Sequence, residues 1–227
     1  MAHIQEIGPE IWTVKHPFSM VGLKLGTTTT IIRRGEELML ISPGPFEESQ
    51  WKEVEALGRV SLLIAPNKMH HLFLSEARER YPEARTLVAP GLAEKRPDLE
   101  GVAELPARLL DWGVDQRLLG GLPDLNETVF WHSSSKTLIC TDLVFNFNSH
   151  PHFVTRCFLC LNGAHGTFGP TRVFKHLFLK DQKLLAADIK AILEWPVENI
   201  VLGHGEDVVG GGKARIHGAF GWLTLDS

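Results

Sequence analysis

Apolar and polar residues alternate from Ile11 to His16, the period of a half-buried strand. A β-branched run from Thr27 to Arg33 and an apolar run from Glu37 to Ile41 flank a turn at Arg34, Gly35 and Glu36, which predicts two further strands. Ser42, Pro43, Gly44 and Pro45 then stop the sheet. Beyond them the pattern alternates between helix and strand. A helix is expected over Glu47 to Leu57, ended by Gly58, and another over Leu72 to Tyr81, ended by Pro82. Continuous apolar runs at Val60 to Ala65 and Arg85 to Ala89 read as buried strands. Residues 91 to 126 show no clear period. Glu127 to His132 and Lys136 to Thr141, separated by three serines, carry a hairpin signature. Leu143 to Pro170 reads as irregular and rich in aromatic residues and histidine. Helices are expected over Arg172 to Leu179 and Asp181 to Glu194, a last buried strand over Glu198 to Leu202, and a terminal helix after Gly210, Gly211 and Gly212. This order implies two sheets with helices outside, an α/β layered architecture.

Composition narrows the function classes. The 227 residues suit a single domain spanning 1–227, with 44% apolar and 22% charged residues. A net charge of −4 predicts no nucleic-acid partner and no anionic-membrane partner, although a local basic patch is compatible with it. No apolar run reaches the roughly 20 residues of a membrane helix, and the first residues lack a basic, then apolar, leader, so a cytoplasmic location is expected. Cys140, Cys157 and Cys160 fit a reducing compartment, and the spacing of the last two, with Phe158 and Leu159 between them, reads as a pair of buried structural thiols.

Layered α/β folds gather their chemistry in loops just past strand C-termini. Three such places carry metal-type ligands: His70 and His71 after the 60–65 strand, Asp142 after the 136–141 strand, and His204 after the 198–202 strand. The segment from Leu138 through Asp142 to Asn146 resembles the strand, Thr-Gly-Asp, apolar-Phe-Asn segment of the metallo-β-lactamase-fold superfamily. The segment from Asn199 to Glu206 is similar to the closing apolar strand and Gly-His-Gly of that superfamily, and Ser42, Pro43 and Gly44 lie where it often has Asp-Thr-Gly. The resemblance spans roughly residues 8 to 207 and implies a four-layer αββα sandwich with a metal site at one edge of the paired sheets.

Carried over residue by residue, the resemblance aligns Asp142 with the bridging aspartate and His204 with the final histidine. The His-x-His-x-Asp-His motif falls on residues 67–72, where Asn67 and Met69 replace its first two histidines and its aspartate is missing. Asn126 and Glu127 lie where a middle histidine is expected. The implied site is therefore reduced and mononuclear: His70 or His71 or both, Asp142 and His204 around Zn²⁺, or Fe or Mn, with Asp142 and His204 as the catalytic pair. It would use a metal-activated water on an ester, thioester, lactone or similar small substrate. Glu206 and Asp207 are candidates for the proton carrier. The rival reading is a fold that has lost catalysis and binds a small molecule or a protein, with a homodimer among the open assemblies. His132 reads as structural, Lys68 as solvated, and His150 and His152 as either a metal clamp or parts of a surface lid.

Overall fold

Strands whose two faces are both covered need apolar residues at every position, which accounts for the uninterrupted runs. In the computed structural model, which describes residues 4–105 and 109–223, the 37–41 strand sends Leu38 and Leu40 to one side, and Met39 and Ile41 to the other. The first pair packs on helices and the second on a facing sheet. The neighbouring 59–65 strand holds the same arrangement through a bulge. Leu38 pairs with Val60 but Met39 pairs with Leu62, so Ser61 is the extra residue that brings Leu62 and Ile64 into the inter-sheet layer.

The first sheet has seven strands in chain order along its width: Gln5–Gly8, Ile11–His16, Thr27–Arg34, Glu37–Ile41, Arg59–Ala65, Arg85–Val88 and Ala103–Glu104. It is antiparallel as far as Glu37–Ile41 and parallel from there. The second sheet orders Val114–Leu118, Thr128–His132, Thr137–Cys140 and Asn199–Leu202, the last pair parallel. Between the sheets Ile11, Ile32 and Ile64 of the first meet Phe130, Ile139 and Val201 of the second. Outside the first sheet lie the helices Glu48–Leu57 and Leu74–Arg80, which bury Trp51, Val54, Leu74 and Ala77. Outside the second lie Gln182–Ile192 and Gly212–Ala219, burying Leu185, Ile189, Ile192 and Ile216. The expected αββα sandwich is thus present.

Differences from the expected elements are local. The 91–126 region contains a short helix, Leu92–Lys95, and the edge strand Val114–Leu118. The segment read as irregular holds a helix, Phe153–Leu161, and a small pairing of Phe145–Asn146 with Phe168–Gly169. That helix escapes pattern reading because only Thr155 and Leu159 are buried, while much of its apolar surface faces solvent. The expected 172–179 helix is present over 172–178, wound as π type from Phe174 to Phe178. Cys157 and Cys160 lie on the outward side of the 153–161 helix and are exposed, which corrects the expectation of buried thiols; Cys140 is buried. No helix among the described residues is long and apolar enough to cross a membrane.

Candidate metal centre

The parallel pairs of the two sheets end at the same edge, and the loops that leave them meet there. Ser42 follows the 37–41 strand, Asn67 and His70 follow 59–65, Asp142 follows 137–140, and His204 follows 199–202. His70, Asp142 and His204 each offer one ligand atom, and these atoms all lie within 4.8 Å of one another; it is the one such group of three among the described residues. His70 Nε2 is 3.4 Å from Asp142 Oδ2, and His204 Nε2 is 3.6 Å from Asp142 Oδ1. Both separations exceed a normal hydrogen bond. One oxygen of the carboxylate faces each imidazole, at a separation close to the roughly 3.3 Å between adjacent ligands on a tetrahedral ion with bonds of about 2.05 Å. The donor set of two imidazoles and one carboxylate suits Zn²⁺, Fe or Mn and leaves a position open.

Each of the three side chains is oriented from behind. His204 Nδ1 donates to the Gly26 carbonyl at 2.6 Å, so the Nε2 lone pair of the neutral ring faces Asp142. Phe145 stacks on the same ring at 5.4 Å. His70 Nδ1 is 2.7 Å from Ser42 Oγ. Ser42 itself is held in the left-handed region at φ 56, with its N–H on the Ile64 carbonyl and its own carbonyl accepting from Thr29 Oγ1. Asn67 Oδ1 accepts from the backbone N–H groups of Met69 and His70, which shapes the turn, while its amide donates to Thr141 Oγ1 and to Asp142 Oδ2 at 2.8 Å. Where the superfamily motif has a histidine, an amide therefore braces the carboxylate.

Glu127 lies beneath Asp142. Fully buried, it accepts from Thr141 N, Thr141 Oγ1 and Asp142 N and fixes the turn that presents Asp142. Burial and the Asp142 charge push its pKa up to about 7, against the opposing hydrogen bonds from Thr141. Burial also acts to raise Asp142, but the facing His70, then His204 and the Asn67 amide, outweigh it and hold Asp142 below the usual carboxylate range. His70 is raised: burial disfavours its charge, and the facing charge of Asp142 overcomes that. Burial and the neighbouring His70 lower His204 to about 4, partly offset by Asp142.

Of the four candidate ligands, His71 stands apart. Its Nδ1 accepts from Arg96 at 2.8 Å, and burial with the nearby Lys95 and Arg96 lowers its pKa. Glu206 contacts Asn148, and Asp207 braces Lys15 and the Leu202 N–H, so neither reaches the group. His132 bonds Ser135 inside the hairpin, and His152 caps the 153–161 helix. Sequence reasoning missed the supporting roles of Ser42 and Glu127; an acidic residue opening an otherwise apolar strand was the available signal for Glu127.

His70, Asp142 and His204 line a cavity of about 300 Å³. Its walls are apolar, with Phe18, Leu25, Phe145, Phe158, Phe174 and Phe178 prominent, and Asp142 is its one carboxylate among the described residues.

Solved structures settle the architecture. A metallo-β-lactamase from Pontibacter korlensis superposes with a TM-score of 0.68 over 99% of this chain and 98% of that one, at 14% identity. The chain has the metallo-β-lactamase fold. The enzyme from Hirschia baltica matches at 0.62 over 95% of each chain with 10% identity. FIM-1 from Pseudomonas aeruginosa, in a mono-zinc form, matches at 0.63 over 96% and 94% with 11% identity. No family model matches the sequence, and neither does any curated protein. At these identities the metallo-β-lactamase likeness is one of fold.

Proposed function

We propose that this metallo-β-lactamase-fold protein is a metal-dependent hydrolase with a mononuclear site on His70, Asp142 and His204, acting on an ester, thioester or lactone with an apolar substituent. The observation that carries the reading is the placement of three convergent ligand atoms, each braced from behind, at the floor of an apolar cavity. A bound ion supplies Lewis acidity and an activated water. Ser42 and the Gly26 carbonyl hold the two imidazoles so that their Nε2 atoms converge. Asp142 orients the nucleophile, and Asn67 and Glu127 keep its carboxylate and backbone in place. The apolar walls seat the substituent and exclude bulk water, which strengthens every polar interaction at the floor.

Elemental analysis of protein purified without chelator or histidine tag tests the site. About one transition ion per chain is expected, and loss of it in the Asp142→Ala, His204→Ala double variant. Absence of metal after incubation with Zn²⁺, Fe²⁺ and Mn²⁺ would defeat the proposal. One observation favours a non-catalytic rival: Asn67 takes the place of a ligand and occupies an oxygen of Asp142. That rival keeps the cavity as a binding site for an apolar molecule without turnover. Esters of p-nitrophenol with lengthening acyl chains separate the two. The hydrolase should gain about fourfold in kcat/KM per added methylene, from roughly 0.8 kcal/mol each, until the cavity is full. The binding protein should show no turnover at any length.

A further inference from the structure

The net charge of −4 conceals a strongly uneven distribution. Residues 143–180 contain Arg156, Arg172, Lys175 and Lys180 and not one Asp or Glu, and residues 11–35 also lack acidic side chains. These two stretches supply three segments that wall the cavity, and each exposes apolar side chains at its mouth. The first is the hairpin Ser19–Met20 with Leu23–Lys24, whose Met20 lines the cavity and whose tip residue Val21 is 97% exposed. The second is the 153–161 helix. Phe158 and Leu159 line the cavity while Phe153, 66% exposed, and Val154 face out. The third is the turn after Thr171, with Val173 at the rim and Leu177 exposed beyond it. Lys24 N donates to Thr155 Oγ1, which ties the hairpin to the helix.

Val21 is the telling residue. It precedes Gly22 in a two-residue hairpin turn and sits at φ 50, where Asn or Asp is the ordinary choice and a β-branched side chain is strained. No packing compensates it, since the side chain is in solvent. An apolar, strained, fully presented residue at the tip, beside an outward-facing Phe153 and Val154, is suited to insertion into an apolar medium.

We propose that this apolar collar docks the cavity mouth onto the surface of an anionic lipid bilayer. Val21, Phe153 and Val154 enter the acyl boundary, and Lys24, Arg156, Arg172 and Lys175 meet the headgroups. Charge decides between the occupants. Two copies of a face with this basic excess repel one another, and a nucleic acid offers nothing to the apolar tips. An anionic bilayer satisfies both kinds of side chain. The expectation of no membrane partner, drawn from overall charge, averages over this asymmetry. The inference stands independently of whether the site holds a metal.

The test is co-sedimentation of the full chain, as purified, with phosphatidylcholine vesicles and with vesicles in which about a third of the lipid is phosphatidylserine. At low salt, binding to the anionic vesicles at least about tenfold tighter is expected, weakening severalfold as salt rises toward 0.5 M. The double variant Val21→Glu, Phe153→Glu should lose at least about tenfold, with an unchanged far-UV circular dichroism spectrum. Val209→Glu, also at an exposed apolar residue but beyond the Ile200–Val208 bridge, serves as control and should bind like the parent. Equal binding to both vesicle types, or none, would overturn the proposal. A stable dimer that the same double variant splits into monomers would assign the collar to a second copy instead.

Discussion

One hydroxyl shows how far the site depends on single residues outside it. Thr29 Oγ1 donates to the Ser42 carbonyl, accepts from Gly44 N at 2.8 Å, and lies 3.0 Å from His16 Nε2. Its one hydrogen is spent on Ser42, so the imidazole donates to it. This knot keeps Ser42 in its left-handed conformation against His70. Thr29→Val keeps the shape and strands two buried donors, for a cost of about 2 to 4 kcal/mol in urea unfolding at neutral pH and weaker metal retention. Burial lowers the pKa of His16 to about 4. Its neutral form belongs to the fold, so the unfolded chain takes up a proton first as pH falls below about 6.5, and stability falls with it. Between pH 7.5 and 5.0 the parent should lose about 2 kcal/mol more than His16→Gln, at about 1.4 kcal/mol per pH unit. Reading the difference removes the opposing contribution of Glu127, whose pKa is raised. An equal loss in both proteins would show that His16 titrates normally.

At the scale of elements, the decisive feature is that parallel strands deliver their following loops to one edge. The Gly203, His204 and Gly205 loop then has no room for other residues. A Cβ at Gly203 would lie 2.8 Å from the Thr141 backbone, and one at Gly205, where φ is +90, would lie 2.2 Å from the Asn146 carbonyl. Lys15 of the first sheet donates to the Gly205 carbonyl and clamps the loop from the far side. Gly205→Ala should therefore cost at least about 2 kcal/mol through strain and displacement, and lower metal content more than Gly210→Ala, whose Cβ would meet open space. Thermal unfolding and elemental analysis of the two variants check this. A parent-like Gly205→Ala protein would mean that the loop shifts freely.

At the scale of the molecule, the candidate site is divided between the sheets. Ser42 and His70 come from the first, Asp142 and His204 from the second. Their mutual distances are set by the layer where Phe130, Ile139 and Val201 meet Ile11, Ile32 and Ile64. Phe130 is 1% exposed, so Phe130→Ala should cost about 3 to 5 kcal/mol and also loosen metal binding, although it touches no ligand. Retention of parent metal affinity in the folded variant would show that the loops hold the ligands without help from the sheet packing. The same scale governs charge. Both acid-free stretches, 11–35 and 143–180, contribute apolar residues to the cavity wall, so the mean charge of the chain does not describe its surroundings.

Short-range patterning by itself determined the central strands, the helices with inward apolar stripes, and the layered class, because alternation and helical spacing report directly which side of an element is buried. The loops that follow Ala65, Cys140 and Leu202 were legible as those of the candidate site for the same reason: the strand ends were clear. Only the tertiary structure decided between the adjacent His70 and His71, since the Asn67 turn aims one at Asp142 and leaves the other to Arg96. It alone placed Glu127 beneath the site, through hydrogen bonds to residues 14 and 15 positions away. The 153–161 helix was illegible because its apolar residues do not mark the buried side. Sequence periodicity records that a helix is two-sided, and the rest of the molecule decides which side meets water.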